Sequence, residues 1–208
     1  MMEPKKRKWS LRKFRITLLR LAFVPVIFIA VFVRPPWTLE STIGFVMELG
    51  GYLFLLTGLA IRIWCIFYIG SRKSKQIIAE GPYSLCRHPL YIGSFLLAIG
   101  VGLCFENVLI LMLVPAIIVP VHIIVAQMEE AHLELLFGEQ YRTYKQKVAR
   151  FWPKFSNYNS PKTIEVNVHS LRRIIMDTAG VLLLPEIEDL IELLHNHGIV
   201  PVLWHFPN

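Results

Sequence analysis

Two stretches of the chain concentrate side chains able to hold charge and make directed hydrogen bonds. The first is Glu80-Gly81-Pro82-Tyr83-Ser84-Leu85-Cys86-Arg87-His88-Pro89-Leu90-Tyr91-Ile92-Gly93. The second starts at Glu129-Glu130 and Leu133, and continues through Phe137-Gly138-Glu139-Gln140-Tyr141 and Tyr144 to Arg150-Phe151-Trp152-Pro153. Gly81-Pro82 predicts a turn, and Pro89 stiffens the chain where a helix begins. Tyr83, Arg87, His88 and Tyr91 are then presented from one short loop. Brought against Glu129 and Glu130, they make a pocket of carboxylates, an imidazole and aromatic rings.

The elements that must position these groups are apolar. Of 208 residues, 54% are hydrophobic and only 18% charged, and the mean hydropathy is +0.50. A soluble domain would sit near ~25% charged. These values exclude disorder and a disulfide scaffold, and Cys65, Cys86 and Cys104 read as reduced, packed thiols. Four apolar stretches are expected as spans, at about 17–33, 43–70, 90–105 and 108–127. The first reaches ~25 Å at ~1.5 Å per residue, enough to cross a bilayer core. It has a basic leader, but its apolar core is too long for a cleaved signal and no small-x-small site follows. Only Glu106-Asn107 separates the third span from the fourth, so the pair forms a tight hairpin. That hairpin carries Glu129 and Glu130 back to His88 and Tyr91.

The net charge of +7 is localised. Residues 1–16 hold seven basic side chains against Glu3, which leaves 15 basic and 14 acidic residues over 17–208. Further basic residues fall in 71–89 and 142–154, whereas the loops at 34–42 and 106–107 hold one between them. The positive-inside bias therefore puts both termini and the motif-bearing loops in the cytoplasm. The tail 1–16 finds its partners among anionic lipid headgroups, and a nucleic-acid role has no support. Glu48 and Arg62 are costly inside a span and suggest function, but they stand ~21 Å apart along one helix and cannot pair. His122, on an apolar span, reads as a core histidine. His169, His195, His197 and His205 fit no closed zinc site, so no metal is expected.

Beyond the polar break 156–161, residues 159–208 read as a small cytosolic α/β extension. Thr163–Val168 alternates like a strand, Pro185 opens a helix that ends at Gly198, and Ile199–Trp204 offers a second strand. The fold expected is thus an all-α integral membrane protein of about four transmembrane helices, with a basic tail 1–16, a membrane domain 17–158 and the extension 159–208.

The order Gly-Pro-Tyr, Arg-His-Pro-x-Tyr-x-Gly, then Glu-Glu-x-x-Leu with Phe-Gly-x-x-Tyr, resembles the isoprenylcysteine carboxyl methyltransferase family, to which phospholipid N-methyltransferases are related. The resemblance covers roughly 45–155. It implies a membrane enzyme that uses S-adenosylmethionine to methylate a lipophilic or prenylated substrate reached from the bilayer. Carried over by position, it assigns the cofactor to Tyr83, His88, Pro89, Leu90 and Tyr91, to the stretch Lys75, Gln76, Ile77 and Ile78, and to Glu130. Aromatic faces and a carboxylate suit a sulfonium, and an imidazole donor suits the cofactor carboxylate. Carboxyl-methylating members place an arginine about a turn before the Glu pair. Here that turn is Ile124-Val125-Ala126-Gln127, with no cation. Arg62 or Arg87 is the candidate replacement, which makes Arg62, Arg87 and Glu130 the candidate catalytic residues. A phospholipid or small-amine acceptor would need no such cation, and a non-catalytic membrane scaffold with the same fold is the alternative of a different class.

Overall fold

The computed structural model describes residues 23–37, 41–70 and 75–205. The basic tail 1–16, the start of the first span and the basic pair Arg72 and Lys73 lie outside them. The described chain is mostly helical. It comprises α1 (Phe23–Phe32), then β1 (Val33–Arg34), α2 (Thr42–Ile69), α3 (Pro82–Leu85), α4 (Pro89–Cys104), α5 (Val108–Phe137), α6 (Glu139–Lys147), a single 3-10 turn at Phe155–Asn157, α7 (Val168–Leu182), α8 (Leu184–Asn196) and β2 (Trp204–His205).

Local chemistry sets most of these boundaries. The Ser41 hydroxyl accepts from Gly44 N at 3.0 Å and starts α2. The Asn107 side chain accepts from Leu109 N at 3.0 Å and starts α5 directly after α4. The expected hairpin therefore forms, with Glu106 taking a positive φ of 47° at its tip. Helix α5 runs past the expected span end at 127 and on through 128–137. No breaker intervenes before Gly138, whose φ of 52° ends it.

Both α2 and α5 are long and apolar enough to cross a membrane, and their apolar side chains largely face outward. Phe45 is 55% exposed, Leu53 60% and Met112 70%. A core helix of a soluble protein would bury such residues; here the outward faces suit acyl chains.

Antiparallel α2 and α4 approach along a seam of small residues. Gly51 and Gly58 of α2 meet Gly100 and Gly93 of α4, with the buried Leu55 and Leu97 between them. A Cβ on Gly58 would lie 2.8 Å from the Gly93 carbonyl oxygen, and one on Gly100 would lie 2.9 Å from that of Gly51. Backbone cannot yield as a flexible side chain can, so close approach requires glycine here. Gly58→Leu is expected to lower the melting temperature in detergent clearly, with ~1–3 kcal/mol lost to overpacking. An unchanged melting curve would mean that the seam does not hold the two helices together.

The C-terminal extension departs from expectation. Residues 163–167 form no strand, and Asn167 instead caps α7 by accepting from Ser170 N at 2.9 Å. Leu171, Ile174, Thr178, Val181 and Leu182 form the helical face turned inward. The second expected strand shrinks to Trp204–His205, which pairs parallel with Val33–Arg34. Nor does the extension stand apart. Ser170 Oγ donates to Gly70 O (3.3 Å), Arg62 Nε to Thr178 Oγ1 (3.4 Å) and Tyr52 OH to Glu186 Oε1 (3.2 Å). Helix α7 thus follows α2 back from its motif-bearing end, leaving α8 beside the opposite end. There His195 Nε2 lies 2.9 Å from Val31 O, and Arg34 donates to Asn196 Oδ1 at 2.8 Å.

Candidate functional site

The turn before α4 is built around Gly81, which has a φ of 56° and packs directly against the ring of Tyr68. A side chain here would be strained by the backbone and would also strike that ring. The Ser84 hydroxyl donates to Gly81 O at 2.6 Å and accepts from Asn159 N at 3.1 Å. The segment after α6 is laid along the same loop. Arg87 N donates to Ala149 O (2.8 Å), His88 N to Arg150 O (3.1 Å) and Lys154 N to Leu85 O (3.0 Å). These bonds deliver the Arg150 side chain to His88, while the α4–α5 hairpin delivers Glu130 from the other side.

The result is a carboxylate gripped by three cationic or basic groups. Arg150 reaches Glu130 with two nitrogens, Nε to Oε1 at 3.0 Å and Nη2 to Oε2 at 2.9 Å. His88 Nε2 lies 3.1 Å from Oε1, and Arg87 Nη1 3.3 Å from it. Glu130 is 3% exposed, and it sits beyond the apolar run 108–127, on the last turns of α5. Burial alone would raise its pKa. Hydrogen bonds from His88 and Arg150, with the Arg87 and Arg150 charges, outweigh burial and hold it down to about 2. The fork of Arg150 fixes the carboxylate plane, and burial removes competing water.

Aromatic rings line one side. His88 and Tyr91 stack with centroids 5.3 Å apart and planes 5° apart. His122 meets the Tyr91 ring edge-on at 4.8 Å and also packs on Phe95, while Phe151 touches both His88 and Phe95 at 5.8 Å. Tyr91 OH donates to Glu129 Oε2 at 2.7 Å. On the other side, Tyr83 packs with Cys65, Tyr68 and Ile78, and its carbonyl accepts from Tyr144 OH at 2.8 Å.

Of the residues singled out from sequence, Arg87, His88, Tyr91 and Glu130 converge in this cluster. Pro89 opens α4 within it, Leu90 packs on the Tyr83 group, and Ile78 belongs to that group too. Lys75 and Gln76 are exposed and Ile77 is half-buried at the edge. Arg62 is set apart: it donates to Ser94 Oγ at 2.8 Å and reaches Thr178. Ser94 lies one helical turn beyond Tyr91. Sequence reasoning did not single out Arg150, Phe151 or His122 as site residues. Arg150 stood in the motif region, but its charge was absorbed into the orientation signal.

Polar capacity remains for a ligand. The Tyr83 hydroxyl and Arg87 Nε are buried without a well-formed hydrogen bond in the protein, the Cys65 thiol standing by the first side chain and Tyr141 by the second. Orphaned buried donors of this kind are rare unless a ligand or water uses them. Among the described residues, no cluster of three or more His, Cys, Asp or Glu side chains is arranged to hold a metal.

Comparison with known proteins matches residues 39–140, α2 through the start of α6, to the phospholipid methyltransferase family. The chain is 32% identical over 139 residues to the cobalt-zinc-cadmium resistance protein CzcN of Cupriavidus metallidurans, a match covering 67% of this chain and 64% of that protein. It therefore spans slightly less than two thirds of that relative. It is 30% identical over 146 residues to the nickel-cobalt-cadmium resistance protein NccN of Alcaligenes xylosoxydans xylosoxydans, covering 70% of this chain and 68% of that one. A shorter match, 29% over 82 residues, joins it to the protein-S-isoprenylcysteine O-methyltransferase of Schizosaccharomyces pombe, covering 38% of this chain and 35% of that protein. No solved structure matches significantly. With its paired motifs, apolar helices and matched core, the chain belongs to the membrane-embedded phospholipid methyltransferase family, which takes in methyltransferases of the isoprenylcysteine type.

Proposed function

We propose that the chain is an S-adenosylmethionine-dependent membrane methyltransferase acting on a lipidic acceptor at its motif-bearing end. One observation carries the reading. A buried carboxylate is locked by Arg87, His88 and Arg150 beside a stacked His88–Tyr91 pair, with the Tyr83 hydroxyl and Arg87 Nε left for a ligand. When bound, S-adenosylmethionine supplies an electrophilic methyl group. The chain's residues have to align the acceptor with it and exclude water, so a strong general base is unnecessary. The Tyr91 and His88 faces suit a sulfonium, and Arg87 and Tyr83 offer donors to a cofactor carboxylate. Glu130 is fully engaged by its cations, so we assign it the role of organising them.

The leading acceptor is an isoprenylcysteine-like carboxylate, with Arg62, bonded to Ser94 one turn beyond Tyr91, as the candidate holder of its charge. A second reading, N-methylation of a phospholipid amine, is favoured by the absence of a cation at 124–127. The basic residues flanking the motif loops put this end of the bundle at the cytoplasmic surface. Purified protein is expected to bind S-adenosylmethionine in the micromolar range by calorimetry. Incubation with methyl-labelled cofactor and a membrane lipid extract is expected to transfer label to a lipid, whose identity decides between carboxylate and amine. Absence of both binding and transfer would overturn the proposal.

A further inference from the structure

The segment after α6 has an unusual division of labour. Three backbone hydrogen bonds pin it to the 85–88 loop, and Phe151 turns inward onto His88 and Phe95. The next aromatics turn the other way: Trp152 is 86% exposed, Phe155 75% and Tyr158 53%. Tyr158 leans on Trp64 of α2, with centroids 6.2 Å apart, so the exposed group continues onto the helical bundle. Lys154 stands exposed between Trp152 and Phe155, and Lys145 and Lys147 are exposed on the preceding helix.

A fixed backbone that offers large aromatic rings to its surroundings, interleaved with lysines, matches the chemistry of a bilayer interface. Ring bodies partition among the upper acyl chains, polar ring edges stay hydrated, and ammonium groups meet anionic phosphates. A partner-protein surface would be expected to be depleted of lysine at its centre, whereas here Lys154 is central. We propose that residues 152–158 form a rim that seats in the headgroup layer of an anionic bilayer. Phe151 is its inner end and leads from that layer to His88. The seating stands on the exposed residues alone; the leading-in of a lipid acceptor rests on the methyltransferase reading.

Because Cys65, Cys86 and Cys104 are all buried, a spin label on Phe155→Cys reports its own position. Reconstituted into phosphatidylcholine–phosphatidylglycerol vesicles, the label is expected to show headgroup-depth accessibility, reduced toward a water-soluble relaxant and raised toward oxygen. A label at Ser156→Cys, a polar neighbour, should remain more open to water. Full water accessibility at position 155 would overturn the rim, as would protection that appears only when a protein partner is added. This result does not depend on catalysis. For the second half, Trp152→Ser with Phe155→Ser is expected to raise KM for a lipid acceptor about tenfold while the KM for S-adenosylmethionine stays the same. Equal changes in both constants, or none, would overturn the leading-in role. If no methyl transfer is detected in the unsubstituted protein, the methyltransferase reading fails while the depth measurement still decides the rim.

Discussion

Glu130→Gln is expected to abolish measurable methyl transfer and to lower the stability of the protein, although the new side chain has almost the same shape. Glutamine can still accept from Arg150, but it cannot neutralise the two guanidiniums that converge on it beside His88. Removing the carboxylate charge leaves Arg87 desolvated and facing the Arg150 guanidinium; because Arg150 is 35% exposed, the cost falls at the lower end of the about 3–5 kcal/mol of a fully buried pair. Arg87 and His88 would then move apart, so cofactor binding should weaken with activity by roughly 100-fold or more. Glu129→Gln is the control. It keeps a side chain able to accept from Tyr91, in a half-buried position away from the Arg87–Arg150 clamp, and should cost far less. The acid dependence gives an independent readout. A carboxylate held down to about 2 contributes stability that is present above its ordinary value near 4.5 and is lost as pH falls toward 2. Glu130→Gln should remove that portion of the acid sensitivity. Full activity and an unchanged acid profile in the variant would show that the cations do not depend on this carboxylate.

The parts of this arrangement visible in the sequence share one property: they are local. Gly81-Pro82, Pro89 and Glu106-Asn107 punctuate the chain where backbone conformation demands it, and the helices between follow from apolar run length. The α4–α5 hairpin then puts Glu130 opposite His88 with no further information. What stayed hidden depends on tertiary placement. Arg150 is one of several basic residues between 142 and 154, and nothing in its neighbourhood distinguishes it from Lys147 or Lys154. It becomes special because the backbone at 149 and 150 pairs with Arg87 and His88. His122 looked like packing on an apolar helix, and it does bond its own helix at Ile118 O. Its ring nevertheless faces Tyr91, a contact set by the rotation of α5 against α4. In the extension, Ile164, Val166 and Val168 alternate as a strand would. Three residues give a weak period, and among the described residues no strand pairs with them. Helix α7 was masked by Arg172, Arg173 and Asp177, which obscure an inward face that only the groove along α2 makes useful.

Arg150→Lys tests whether geometry or charge matters at the clamp, and the expected answer is geometry. The guanidinium meets both carboxylate oxygens at 3.0 and 2.9 Å from one planar group. An ammonium at the end of a flexible stem keeps the positive charge but reaches one oxygen at a time and leaves the carboxylate free to rotate. Glu130 also touches His88 and Arg87, so rotation would displace the imidazole stacked on Tyr91. As Arg150 acts through Glu130, its loss should appear mainly as a raised KM for S-adenosylmethionine, with a smaller fall in kcat. A change of about 10–100-fold is the usual scale for residues that orient others. Arg150→Gln, which lacks the charge as well, should be worse than Arg150→Lys and less stable to heat. Arg142→Gln provides the contrast: Arg142 pairs with Glu134 at 2.9 Å, but it is 59% exposed, and solvent and salt screen such a pair, so the substitution should leave activity and melting temperature nearly unchanged. If Arg150→Lys behaved like the unsubstituted protein while Arg150→Gln failed, charge alone would suffice and the bidentate grip would be incidental. If both lowered kcat and left KM unchanged, Arg150 would be acting on the reacting atoms and not through Glu130.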